Sequence, residues 1–258
     1  MCSKAVSECG VVILGGTAGV GLETAAQFAE QGARCVLLGR SLERGAAACG
    51  VVRARVPGAD VDFVQVDAMD SADAVRAAQS ARARLGAIDV LVCATGPSHP
   101  PTLLRDIPIE DVKLRLEYIL FPPLNMMYAV LPAMRQQKSG AIINVASIAA
   151  KVATPGETAI GAAMAALVMF SQAAALEEKR EGIRINLLTP SLIARTPGAA
   201  LFTTDPYSVK MWEKVAAKAD LGVPEPEDLA WMVLYLAGPA ARRITGQAIS
   251  ISGGISVA

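Results

Sequence analysis

The chain has 258 residues, 53% of them hydrophobic, and its 24 basic and 24 acidic residues leave no net charge. That length and apolar content suffice for one large buried core. Charge balance, with no basic run longer than Arg242-Arg243, argues against a nucleic-acid or membrane surface and favours a small-molecule ligand.

Along the chain, seven short apolar runs at 10–14, 34–38, 62–65, 89–93, 141–145, 184–188 and 248–251 alternate with longer helical patterns. Continuous apolar character is what parallel strands covered on both faces require, so the alternation predicts a doubly wound, seven-stranded parallel α/β sheet. Leu22, Ala25, Ala26 and Ala29 form the stripe of a helix ending at Gly32, and 228–237 repeats the pattern. No linker, repeat or low-complexity segment divides the chain, so one domain over 1–258 is expected. Segment 195–222, with Pro197, Gly198 and Pro206, interrupts the alternation and reads as a mobile cover over a site. Pro122-Pro123 is expected to bend the helix near 110–134. The first apolar stretch, 11–14, is too short for a signal segment, and no run approaches about 20 apolar residues, so a cytoplasmic protein is expected.

Five cysteines (Cys2, Cys9, Cys35, Cys49, Cys93) show no C-x-x-C spacing and read as buried free thiols, with Cys93 near the end of a strand that points toward the ligand. The lone His99 has no second ligand at metal-site spacing, so no metal is expected.

After the first strand comes Gly15-Gly16-Thr17-Ala18-Gly19-Val20-Gly21 and then a helix. Glycines at that junction let the backbone approach a pyrophosphate, whose charge meets the free N–H groups of the helix N-terminus. The second strand ends in Gly39-Arg40-Ser41, where an NAD-preferring site carries an acid for the ribose hydroxyls. Arg40 is suited instead to a 2′-phosphate, with Ser41 and Thr17 adding hydroxyl donors, so NADP(H) is favoured over NAD(H). The alternative is that Arg40 is a solvated surface charge.

The glycine turn, Val92-Cys93-Ala94-Thr95-Gly96, the strand leading to Ser147, Gly182-Ile183-Arg184-Ile185-Asn186 with Pro190, Thr245-Gly246-Gln247 and Gly253-Gly254 stand in one order over nearly the whole chain. In that order they resemble the short-chain dehydrogenase/reductase family. The resemblance implies a single-domain Rossmann fold, with a nucleotide-binding half at about 8–145 and an active-site half at about 146–258. It also implies cofactor contacts at Gly15, Thr17, Gly19, Val20, Gly21, Arg40, Ser41, Asp67, Ala68, Ala94, Gly96, Pro190, Ile193 and Thr196, with Asp67 matching an adenine-contacting aspartate. A homodimer or homotetramer packed through the helices near 110–134 and 158–180 is expected too.

Where the family carries its proton-handling tyrosine and lysine, thirteen and seventeen residues after Ser147, this chain has Ile160 and Met164, and its helix-borne asparagine corresponds to Ile119. None of the three moves a proton. Ser147 is the retained candidate for polarising a substrate. His99 in the loop after the fourth strand, and Tyr207 with Lys210 in the cover, are the candidate replacement acids, while Glu157 and Thr158 read as capping residues of the altered helix. Three functions follow: an NADP(H)-dependent oxidoreductase of divergent mechanism, a catalytically inactive binding protein paired with an active paralogue, or a non-redox isomerase, lyase or cyclase.

Overall fold

The computed structural model describes residues 4–258. Its strands are β1 (Gly10–Leu14), β2 (Arg34–Gly39), β3 (Val61–Gln65), β4 (Val90–Cys93), β5 (Gly140–Val145), β6 (Ile183–Pro190) and β7 (Ala248–Ile251). They form one parallel sheet in the order β3-β2-β1-β4-β5-β6-β7, with register pairs such as Val12↔Val36 and Ile143↔Asn186. Chain order reverses between β1 and β4, so the crevice at the strands' C-terminal ends opens there. The sheet and its strand boundaries agree with the pattern read from the sequence to within two residues.

Helices cover both faces. On one lie α1 (Gly19–Glu30), α2 (Leu42–Arg55) and α8 (Pro226–Ala237), packed with Phe28, Val52, Leu229 and Val233 onto Val11, Ile13 and Leu37. On the other lie α3 (Ser71–Leu85), α4 (Ile109–Gln137) and α5 (Thr158–Glu178), which bring Ala77, Met126, Met134 and Ala175 onto Val12, Leu91 and Ile142. Alternate residues of each strand thus serve opposite cores, and a fully buried side chain such as Phe28 contributes about 1.5–3 kcal/mol.

Helix α4 runs through Pro122, Pro123 and Pro132 as one element, and each proline removes an N–H donor from the ladder. One expectation needs correction. An apolar segment of membrane-spanning length does exist, α5 with its continuation to Glu181, because small and aliphatic residues fill both its faces. It packs against β6 and α4 beside the sheet. The cover contains α6 (Pro197–Leu201) and α7 (Pro206–Ala216), capped by the Thr196 hydroxyl and the Asp205 carboxylate. Its ends are tied down by Arg195 to Glu225 and Glu227 and by the Leu221 N–H to the Gly253 oxygen.

Cys35, Cys49 and Cys93 are buried free thiols, Cys9 is buried, and Cys2 lies outside the described residues. Cys93 faces the α3/α4 core and not the crevice, and burial pushes its thiol up, so it is neither nucleophile nor ligand.

Candidate active site

A cleft of about 710 Å³ opens along the C-terminal ends of β1, β2, β4, β5 and β6. Its volume lies in the range of small-molecule sites. At one end is the turn between β1 and α1. Gly15 sits at φ +78°, and a Cβ there would lie 2.7 Å from the Ala94 oxygen, so the first glycine is required by both conformation and space. Gly21 does not face the cleft: a Cβ on it would lie 2.2 Å from the Gly15 oxygen, so its role is to close the turn. The other predicted cofactor residues, Gly15, Thr17, Gly19, Val20, Arg40, Ser41, Asp67, Ala68, Ala94, Gly96, Pro190, Ile193 and Thr196, all line the cleft.

Arg40 and Arg44 are exposed beside the turn, and neither has an ion-pair partner among the described residues. Ser41 caps α2 by accepting the Arg44 N–H at 3.2 Å, which fixes where the second arginine leaves the helix. Arg44 escaped the sequence reading because its relation to Arg40 arises only when α2 starts at Leu42. Across the cleft, Asp67 accepts the Met69 N–H at 3.1 Å, and Asn125 of α4 holds the same loop by donating to the Ala68 and Met69 carbonyls.

The other end is walled by Ser147, Glu157, Ile160, Met164, Leu192, Phe202 and Trp212. Ser147 follows β5 and accepts the Ala149 N–H at 3.1 Å, which leaves its own O–H to donate toward the cleft. Ile160 and Met164 are 7% and 3% exposed and pack with Ile119, Ala146 and Leu187 into a small apolar core under the cleft floor. Ile119 belongs to that core and does not reach the cleft. The neighbouring Tyr118 does, and its carbonyl has lost its helical donor because Pro122 has no N–H.

The replacement acids named from sequence are not brought here. His99 is exposed, hydrogen-bonded through Nδ1 to Ser98 at 3.0 Å, and outside the cleft lining. Tyr207 donates to the Pro155 carbonyl at 2.9 Å and packs on Gly156, behind the cleft wall, and Lys210 is exposed beyond it. Glu157 occupies the N-cap of α5 but makes no capping hydrogen bond. The residue is half-buried and lines the cleft, and desolvation pushes its carboxyl up to about 7 against a smaller opposing effect of the Thr154 hydroxyl.

Comparison with known proteins agrees with this architecture. The family model described as enoyl-(acyl carrier protein) reductase matches residues 15–256. The 3-oxoacyl-(acyl-carrier-protein) reductase FabG of Chlamydia trachomatis is 31% identical over 95% of this chain and 96% of its own. The chain belongs to the short-chain dehydrogenase/reductase family. Momilactone A synthase of Oryza sativa subsp. japonica is 31% identical over 95% of this chain and 89% of its own. Among solved structures, an NADPH-bound short chain oxidoreductase of Pseudomonas aeruginosa PAO1, described as containing an atypical catalytic center, superimposes with a TM-score of 0.88. It is 26% identical, and the match covers 98% of each chain.

Proposed function

We propose that this family member is an NADP(H)-dependent oxidoreductase acting on small apolar organic substrates, with proton handling that departs from the family's tyrosine and lysine. The observation that carries the reading is the single cleft, which runs without interruption from the glycine turn and its two unpaired arginines to Ser147. The residues fit a phosphorylated dinucleotide. Gly15, Gly19 and the N-terminus of α1 receive the pyrophosphate, Arg40 and Arg44 the 2′-phosphate, Asp67 and Ala68 the adenine, and Pro190, Ile193 and Thr196 the nicotinamide end. When bound, such a cofactor supplies or accepts a hydride.

The chain's own contribution is to orient and polarise. Ser147 donates its hydroxyl to the substrate's electronegative atom, and the apolar wall of Ile160, Met164, Leu192 and Phe202 excludes water and strengthens that hydrogen bond. Positioning donor and acceptor together is worth up to about 7–11 kcal/mol even where acid catalysis is weak. Residues 1–258 act as one domain in this reading, and a homodimer or homotetramer forms through the exposed apolar residues of α4 and α5. The test is NADPH binding by calorimetry together with NADPH consumption in the presence of acetophenone and trifluoroacetophenone, with products identified. Failure to bind NADPH would remove the reading.

A further inference from the structure

The substrate end of the cleft has lost a phenol and an ammonium relative to its family and holds one ionisable group besides Tyr118: Glu157. Asp67 and Glu157 are the two carboxylates that line the cleft, and Asp67 lies at the adenosine end beside Met69. Glu157, Ile160 and Met164 stand at i, i+3 and i+7, so Glu157 lies on the helical face that presents positions 160 and 164, one turn closer to the N-terminus. A Cβ on Gly161 would lie 2.8 Å from the Ala149 oxygen, so the first turn of α5 is pressed against the turn that carries Ser147. Ser147 and Glu157 therefore share one wall.

Glu157 is also held in place. Gly156 precedes it at φ +88°, and its carbonyl accepts the Thr102 N–H at 2.7 Å. Tyr207 of α7 donates to the Pro155 carbonyl, and Ser208 donates to the Pro101 carbonyl at 3.3 Å, so the cover clamps the two loop strands that meet at this carboxylate.

We infer that Glu157 is the catalytic acid–base of this active centre, replacing from one helical turn away the tyrosine that position 160 lacks. The inference rests on the oxidoreductase reading above. In reduction of an apolar ketone, the hydride forms the new C–H bond at the carbonyl carbon, and the C=O π pair moves to oxygen. The Glu157 O–H bond breaks as its proton passes to that oxygen while Ser147 keeps its hydrogen bond. The product is the alcohol, the nicotinamide leaves oxidised, and the Glu157 carboxylate takes a proton back from water. Oxidation of the alcohol runs the same steps in reverse.

The carboxyl is suited to this. Its desolvated position keeps a large fraction protonated near neutral pH, where an exposed glutamate is ionised. Charged or titratable groups on the elements around it include Lys113, Arg115, Glu117 and Tyr118 of α4, Tyr207, Lys210 and Glu213 of α7, Lys151 of the turn after Ser147, and His99. Arg115 donates to Thr102 Oγ1, Lys151 to the Ala248 and Ala258 carbonyls, and Tyr207 to Pro155. None of them forms an ion pair with Glu157 among the described residues.

The test compares wild type, Glu157→Gln, Glu157→Asp and Tyr118→Phe. Carbon NMR of glutamate-labelled protein is expected to show one carboxyl titrating near 7 that is missing from Glu157→Gln, a readout independent of turnover. With NADPH and trifluoroacetophenone, wild-type kcat is expected to fall as pH rises through that value, because the acid must be protonated. Glu157→Gln lowers kcat by about 10²- to 10⁴-fold and abolishes that limb, while NADPH affinity is retained. Glu157→Asp keeps a displaced limb at reduced rate, and Tyr118→Phe keeps the wild-type profile. Turnover and pH profile unchanged in Glu157→Gln, transferred to Tyr118, or accompanied by no carboxyl titrating near 7, overturn the assignment and leave the oxidoreductase reading standing. A wild type that binds NADPH but reduces neither ketone overturns both.

Discussion

Replacing Arg40 and Arg44 by alanine separates a phosphate site from a pair of solvated surface charges. Both guanidinium groups are exposed at the rim of the cleft and unpaired among the described residues, so neither has to break an internal ion pair to meet a ligand. A charge-assisted hydrogen bond contributes about 1.5–3 kcal/mol, and exposure with solvent screening puts each arginine near the lower end. About 1.5 kcal/mol apiece corresponds to roughly tenfold in the dissociation constant. Each single variant is therefore expected to bind NADPH about tenfold more weakly, and the double variant somewhat less than about a hundredfold, because two cations sharing one phosphate are not independent. NADH has no 2′-phosphate and should bind all four proteins alike. Calorimetric titration at two ionic strengths checks this, and the NADPH preference should shrink at high salt as the phosphate is screened. An unchanged NADPH-to-NADH affinity ratio in the double variant would refute the argument and return Arg40 to the role of a solvated charge.

Ile160→Tyr with Met164→Lys is expected to raise ketone reduction more than either change alone, measured as NADPH consumption with product identified. The pair should also cost about 2–5 kcal/mol of stability in urea unfolding, because an ammonium enters a cluster of apolar side chains that includes Ile119, Ala146 and Leu187. Ketone reduction by the unmodified protein at the rate of the restored variant would show that nothing was missing. Glu157 also links stability to pH. Its folded value near 7 lies above that of an unfolded glutamate, so the native state holds the extra proton between those values. Stability should therefore fall as pH rises from the ordinary carboxylate range through about 7, by roughly 1–2 kcal/mol after allowance for partial exposure, with Glu157→Gln flat over the same interval. Urea midpoints at about pH 5 and about pH 8 measure the difference. Light scattering is expected to give a dimer or tetramer, since Phe121 and Tyr128 of α4 and Met169, Phe170 and Leu176 of α5 are exposed. Met169→Glu with Phe170→Glu should yield monomers, and a wild-type monomer would leave that apolar face without its expected partner.

Local pattern determined the fold in outline. The seven apolar runs are strands because a parallel strand covered on both faces cannot alternate, and the glycine turn is legible because each glycine answers a constraint within a few residues of itself. The residues at 160 and 164 were equally legible, since isoleucine and methionine carry neither a phenol nor an ammonium whatever the fold. Pro122 and Pro123 do not end α4, which continues past them with Met126, Met127 and Met134 packed into the sheet.

The role proposed for Glu157 rests on tertiary structure alone. By sequence Glu157 is a helix cap and His99 a free titratable group in a crevice loop. Only the folded chain places Glu157 in the cleft lining without a capping bond to α5, and leaves His99 exposed outside that lining. The clamp that fixes Glu157 joins Tyr207 to Pro155 and Thr102 to Gly156, contacts 52 and 54 residues apart in sequence. The environment that raises its carboxyl, likewise, is the sum of walls contributed by β5, α5 and the cover, a sum that no single segment contains.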